Sequence, residues 1–294
     1  MKSMTLNAYA KINLHLDVVS KAENGYHQVN TVMQSVSLCD TVSVTFCDGN
    51  EIKLTCNIVD LPVDSRNLAY KAAELFFARV GVSRGVCIDI VKRIPMAAGL
   101  AGGSTDAAAV LYALNSLYDE PLCNEELLAI GSKIGADVPF CIACGTKYAD
   151  GFGDLLHSFP PMPECYIVVA CGGDGVSTPW AYAALDNRYE NFALDKYMPR
   201  SLDALRDAMK KSSLLDISKS IYNIFEGVIA PERPMVDVIK NTLADHGALS
   251  AMMSGSGPSV FGIFDLKENA EAAVKTLVDN GVSAFVCQPT SERF

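Results

Sequence analysis

Positive charge is scarce in this chain: 24 Lys and Arg stand against 34 Asp and Glu, a net charge of −10. With a pI near 4.9, a nucleic-acid or anionic-membrane surface is disfavoured. Nowhere do 18 apolar residues run together, so no membrane-spanning helix is expected. The opening MKSMTLNAYAKINLHLDV is broken by Asn7, Lys11 and Asn13 and does not read as a secretory signal. There is no repeat and no low-complexity segment. No G-x-S-x-G elbow occurs and the four histidines stand in unrelated contexts, which removes support for Ser–His or Cys–His nucleophilic catalysis. The one CxxC, Cys141-Ile-Ala-Cys144, lacks a matching second pair, since Cys165 and Cys171 are wrongly spaced, and no metal-ligand set is assigned. The ten cysteines are scattered, with Cys39, Cys47, Cys56, Cys87 and Cys165 in or beside strand-like segments. They read as buried thiols of a protein in a reducing cytoplasm.

What is present suggests two domains, at ~150 residues each, and half of the 294 residues are hydrophobic, ample for a core. In the first half, 41–46 and 86–94 carry strand patterns. Between them a helix is bounded by Asn67 as N-cap and Gly81 past its end, and 124–135 reads as another helix. The stretch SFPPMPE has three prolines in seven residues and reads as a linker. The expected division is 1–158 and 159–294. The second half begins with a strand at 166–170. Helices are expected around 179–186, 201–211, 215–228 and 234–246, then a glycine-rich turn into a strand (252–264), a helix (267–280) and a last strand (283–287). Strands bracketing helices predict an α+β fold.

The stretch IPMAAGLAGGSTDAAAVLYALNSLY places three glycines within five residues. Gly99, Gly102 and Gly103 allow positive φ and close approach of a ligand, and Ser104, Thr105 and Asp106 open a buried helix running through Ala107 to Leu117. A helix N-terminus favours an anion, which makes this a phosphate cradle. The alternative is a tight turn into a capped helix. A Walker A loop is excluded because no lysine lies between Lys92–Arg93 and the helix, and G-x-G-x-x-G fails at Ala101. An acidic protein that holds polyphosphate must concentrate positive charge locally, and Mg²⁺ arriving with the ligand fits that need.

Alternation in AYAKINLHLDV puts Lys11, Asn13 and His15 on one strand face, opposite Ile12, Leu14 and Leu16. Lys11 is either a solvated face residue or functional. Asp137, in GADVPF, follows a helix closed by Gly135 and is a candidate base, with a cap or turn aspartate as the alternative. His27, in ENGYHQVNT, reads as a surface histidine beside Tyr26, a possible stacking platform.

The order of these motifs is a Lys/Asn strand, P-x-x-x-G-L-A-G-G-S-T before a helix, G-A-D-V-P, and a late S-G-S-G-P. It resembles the GHMP small-molecule kinases over essentially the whole chain. AKINLHLDV, NGYHQVNTVMQSVSL, GVSTPWAYAAL, the YNIFE around Asn223 and MSGSGPSVFGIF resemble most the branch acting on a cytidine diphosphate-linked methylerythritol. The resemblance implies a two-domain α+β GHMP-kinase-like fold with ATP and substrate in the interdomain cleft. It also implies ATP-dependent phosphorylation of the 2-hydroxyl of 4-diphosphocytidyl-2-C-methyl-D-erythritol in non-mevalonate isoprenoid biosynthesis. Asp137 would be the base, assisted by Lys11. The ATP phosphates would lie in the loop of Pro95, Met96, Ala97, Ala98, Gly99 and Leu100, continued by Ala101, Gly102, Gly103, Ser104 and Thr105. Asn67, Leu68 and Lys92 would lie near the adenosine, and Mg²⁺ would accompany the ATP. Tyr26 and Tyr182 would sandwich the cytosine and His27 would bond its edge, with Asn13, Gly255 and Gly257 on the substrate side. Ala101 stands where many members carry glycine, and Ser-Thr where many carry Ser-Ser.

Two other readings compete with this one. A mevalonate- or homoserine-type kinase on the same fold would leave Gly-Tyr-His without a purpose. A nucleotide-binding regulator without turnover would have no need of Lys11 and Asp137. A nucleic-acid module is disfavoured by the charge.

Overall fold

The computed structural model describes residues 2–189 and 197–294. Two sheets organise them. The first is built on a hairpin of two long strands, β1 (Ser3–Lys21) and β2 (His27–Cys47), the second of them rich in β-branched residues. To these are added β3 (Ile52–Cys56), β4 (Gly85–Val91), β5 (Thr146–Asp150), β6 (Leu155–Ser158) and the two-residue β8 (Tyr222–Asn223). The strand order is β3-β4-β2-β1-β8, with β5 on β2 and β6 on β5. The second sheet runs β11-β7-β10-β9, from Ser283–Cys287, Tyr166–Cys171, Val260–Phe264 and Ser250–Met253, and is antiparallel throughout.

The first sheet is covered by α1 (Leu68–Val80), α2 (Gly102–Leu117), α3 (Asn124–Ile134) and α4 (Val138–Ala143). In α2 every residue from Ala107 to Leu111 is buried, so the helix is central rather than amphipathic. The ends of α1 follow the sequence: the Asn67 side chain accepts from Ala69 N, and Gly81 sits at φ 74°. The second sheet packs with α5 (Thr178–Arg188), α9 (Met235–Asp245) and α10 (Lys267–Asp279). Helices α6 (Asp203–Lys210) and α7 (Leu214–Ser220) add to the apolar layer that joins the two sheets. Phe46, Phe76, Phe140, Phe225, Phe261 and Phe264 are fully buried, each contributing about 1.5–3 kcal/mol.

Four expectations are corrected. The single helix expected over 215–228 is two, α7 and the short α8 (Glu226–Ile229), separated by β8, because Tyr222 and Asn223 pair in parallel with His15 and Leu16 of β1. The strand expected to reach 94 stops at Val91. After Ser158, which ends β6, the proline-rich stretch carries no regular structure, yet Phe159 and Met162 insert into the core, so it is a pinned crossing rather than a free linker. Helix α2 starts at Gly102, earlier than the Ser104–Asp106 opening suggested, with Ala101 at its N-cap in the left-handed region (φ 59°).

Candidate active site

Lys11, Asn13 and His15 are all buried. A register shift of β1 against β2 between Asn13 and His15 breaks the expected alternation, however, and it is Leu16, not His15, that joins Lys11 and Asn13 at the site. The Lys11 ammonium, 4% exposed, donates to Asn13 Oδ1 at 2.7 Å and stands 3.6 Å from Asp137 Oδ2. Asn13 Nδ2 donates to Thr31 Oγ1 at 2.8 Å, and that hydroxyl donates to the His15 carbonyl at 2.8 Å. Each group in this series spends its donor on the next, so the ammonium is aimed by a fixed network. The solvated-face alternative for Lys11 is thereby removed. Asp137 is 38% exposed at its side chain and occupies the N-cap of α4 without making a side-chain cap bond. A carboxylate that neither caps its helix nor is buried, held beside a buried cation, is free to meet a ligand. One turn later, burial and then the Asp137 charge push the Cys141 thiol well up, and burial pushes Cys144 to about 11. Both thiols stay protonated and inert.

Beside this pair lies the glycine loop. Its carbonyls are turned away from any ligand by protein donors: Ala97 O accepts from Val176 N, Ala98 O from Ser259 N, Gly99 O from Ser254 Oγ and Leu100 O from Lys11 N. The first intrahelical bond of α2 runs from Thr105 N to Ala101 O, so earlier amides at its start remain donors for an anion. The positive φ values fall on Ala97, Gly99 and Ala101, not on Gly102 or Gly103, which are helical. Gly99 is required twice over: φ is 79°, and a Cβ there would collide with the Ser254 carbonyl oxygen. The turn 254–257 that meets it is held by Asn223, whose Nδ2 donates to Met253 O (2.7 Å) and Gly255 O (2.9 Å).

Lys92, beneath the start of α2, is 9% exposed. Its ammonium pairs with Asp40 and, at 2.7 Å, with Asp106, while Asp40 also accepts from Ile94 N at 2.8 Å. Burial, and the neighbouring Asp40 charge, raise the Asp106 carboxyl against the pull of Lys92. This triad ties the end of β4 to α2, so the Lys92 charge is already committed within the protein.

At the other end, the Tyr182 ring lies on His27 (centroids 4.7 Å, 25° apart) and edge-on to Phe225 at 4.9 Å. Burial, and then the Asp137 charge, push its phenol up to about 12. His27 is not a surface histidine; its side chain is 6% exposed. Tyr26 is 68% exposed and meets Phe152 edge-on at 6.0 Å.

One cavity of about 1220 Å³ joins the ends of this arrangement. It reaches from Asn67, Leu68 and Lys92, along Pro95–Gly99 and Ala101–Ser104, past Lys11, Asn13 and Asp137, to Tyr26, His27, Tyr182 and Gly255. Leu100 and Thr105, each 1% exposed, instead sit behind the loop in the core, and Gly257 faces Met253. Phe152 and Asp186 carried no motif signal and are found only through the fold. Thr31 and Asn223 lay in recognised motifs without a role. Among the described residues no group of three or more His, Cys, Asp and Glu could hold a metal ion, and no helix is long and apolar enough to cross a membrane.

Comparison with known proteins identifies the family. The GHMP kinases N terminal domain matches residues 67–145, and GHMP kinases C terminal matches 191–283. The chain is 41% identical over 294 residues to a 4-diphosphocytidyl-2-C-methyl-D-erythritol kinase of Lachnospira eligens, covering 100% of this chain and 99% of that one. It is 45% identical over 263 residues to one of Clostridium kluyveri, covering 89% and 91%. A crystal structure of 4-(cytidine 5'-diphospho)-2C-methyl-D-erythritol kinase superposes with TM-score 0.83 at 30% identity, over 98% of this chain and 100% of that one. A homoserine kinase from Cytophaga hutchinsonii shares the fold, with TM-score 0.75 at 20% identity and coverage of 100% and 96%.

Proposed function

Because the chain belongs to the GHMP kinases and has their two-domain α+β fold, we propose that it transfers the γ-phosphoryl of ATP to the 2-hydroxyl of 4-diphosphocytidyl-2-C-methyl-D-erythritol. The observation that carries this reading is the Lys11–Asp137 pair, 3.6 Å apart, in a cavity with a phosphate-type loop on one side and stacked aromatics on the other. The reading divides the chain into 1–158 and 159–294, with both ligands in the cleft between them, and assigns it a cytoplasmic place in non-mevalonate isoprenoid synthesis.

The loop amides and the α2 dipole would hold the triphosphate, with Asn67, Leu68 and Lys92 bordering the adenosine. The Asn67 amide is engaged, donating to Pro62 O at 2.8 Å and accepting from Ala69 N at 2.9 Å. These bonds use one of its two N–H donors and one lone pair, so a second donor and a second lone pair are left for the nucleotide. The fit for phosphate rests on four inward-turned carbonyls and the Gly99 contact described above. Mg²⁺, which GHMP kinases use generally, supplies charge neutralisation across the phosphates. With no group of three or more His, Cys, Asp and Glu placed to cage it among the described residues, nucleotide oxygens would supply most of its ligands.

Phosphoryl transfer asks the protein chiefly for position and electrostatics. An aspartate, with a reference pKa of ~3.9, is a weak base toward an alcohol, but it serves when the proton leaves late, as the hydroxyl oxygen bonds to phosphorus. Asp137 would take that proton at Oδ2. Lys11, aimed by Asn13 and Thr31, would offset charge on the transferring group. Tyr26, His27 and Tyr182 would hold the cytosine, and Gly255 and Gly257 the turn over the diphosphate.

The test is Asp137→Asn. It should lower kcat by roughly 10²–10⁴-fold while the KM for ATP stays near the wild-type value. Comparable turnover in the variant would refute the role of Asp137.

A further inference from the structure

The assignments above leave Asp186 without a role, yet it is the residue on which the cytidine end converges. The β1–β2 hairpin closes on the facing pair Lys21 and His27, and the loop between them carries Tyr26. Asp186 lies on α5, one turn beyond Tyr182. Its Oδ2 is 2.5 Å from Lys21 Nζ and its Oδ1 is 2.6 Å from His27 Nε2. The carboxylate is only 13% exposed. One helix thus gives the imidazole both a stacking face, through Tyr182, and a hydrogen-bond partner. Burial raises the Asp186 carboxyl, but the hydrogen bonds from Lys21 and His27 outweigh it and hold the group below the usual carboxylate range.

An ionised carboxylate has lone pairs only, so the ring nitrogen touching it must carry the proton. In the neutral ring the other nitrogen, Nδ1, is then the acceptor. We propose that Asp186 is a positioning residue that fixes His27 as the Nε2–H tautomer, making its Nδ1 an acceptor for an amino group and setting a preference for an aminopyrimidine over its oxo analogue. This deepens the cytidine reading and rests on it. Cytosine carries an amino group where uracil carries a carbonyl oxygen, and a lone pair facing a lone pair is rejected strongly by a site built to accept. Lys21 shares the carboxylate charge and fixes its second oxygen, so the partner of Nε2 cannot rotate away.

The experiment has two arms. Asp186→Asn keeps the shape but can turn either its oxygen or its nitrogen toward Nε2, so the tautomer is no longer dictated. In this variant kcat/KM for the cytidine acceptor should fall roughly 10- to 100-fold, mainly through KM. The uridine analogue should change little and the KM for ATP should hold, so that discrimination between the two bases collapses. Nitrogen-15 NMR of the wild-type histidines should show the His27 ring protonated at Nε2 and unprotonated at Nδ1 near pH 8. Discrimination retained in Asp186→Asn, or a wild-type ring protonated at Nδ1 alone, would overturn the proposal. A wild-type protein inert toward the cytidine acceptor would instead overturn the functional reading, and the NMR arm would still decide the tautomer.

Discussion

At the scale of single residues, His15 shows how a polar strand position that looks functional in the sequence can be purely structural. It follows Lys11 and Asn13 on β1, is 1% exposed, and its Nε2 has no hydrogen-bond partner among the described residues. Burial, and then the Arg200 charge, push its pKa down to about 4. The folded protein therefore declines a proton that the unfolded chain takes up between about pH 4 and the ordinary 6.5. Stability from this group is complete above pH 6.5 and is lost as pH falls through that window, up to about 3 kcal/mol. Denaturant unfolding at pH 7.5 and 4.5 should show His15→Leu losing less stability than wild type across that interval. Equal losses would mean that the imidazole is charged in the folded state. Lys11 and His15 looked alike in the sequence, both polar members of an alternating strand. What separates them is spatial: one ammonium has Asn13 and Asp137 in reach, while one imidazole ring packs near Tyr222.

At the scale of elements, the glycine loop separates two reasons for glycine that a sequence cannot tell apart. Gly99 is dictated by backbone conformation and by the contact with Ser254, so Gly99→Ala should cost at least about 2 kcal/mol of stability. Gly103 is helical and exposed, and the nearest atom to an added Cβ is Leu68 Cδ1 at 3.7 Å. Gly103→Ala should therefore leave stability unchanged or raise it by about 0.5–1 kcal/mol, yet raise the KM for ATP, because the methyl group would stand where phosphate approaches. An unchanged KM would place the phosphate elsewhere. Helices with a cap at each end, such as α1, were legible because propensity and punctuation are local. The break at β8 was not legible, because a two-residue pairing with His15 and Leu16 is decided by a strand some 200 residues away. The start of α2 was misjudged for a related reason: Ala101 takes the left-handed conformation that glycine favours, and nothing local announces it.

At the scale of the whole molecule, the candidate site exists because two loops from different sheets meet backbone to backbone. The loop before α2 meets the turn between β9 and β10 at Gly99 and Ser254, with Asn223 fixing the turn and Asn13 N donating to Ser254 Oγ at 3.3 Å. Lys11, Asp137, the loop and Tyr26-His27 were recoverable from motif order because each sits in a short, distinctive string. Phe152 and Asp186 were not, since each acts through a partner distant in sequence, as with Asp186 and His27, 159 positions apart. The reading as a whole stands on the choice of acceptor. The most direct measurement is ADP release from the purified protein with Mg²⁺-ATP and one of three acceptors: 4-diphosphocytidyl-2-C-methyl-D-erythritol, mevalonate or homoserine. Turnover with the cytidine compound and neither of the others is the expected result. Preference for mevalonate or homoserine, or ATP binding with no acceptor-dependent ADP release, would contradict it.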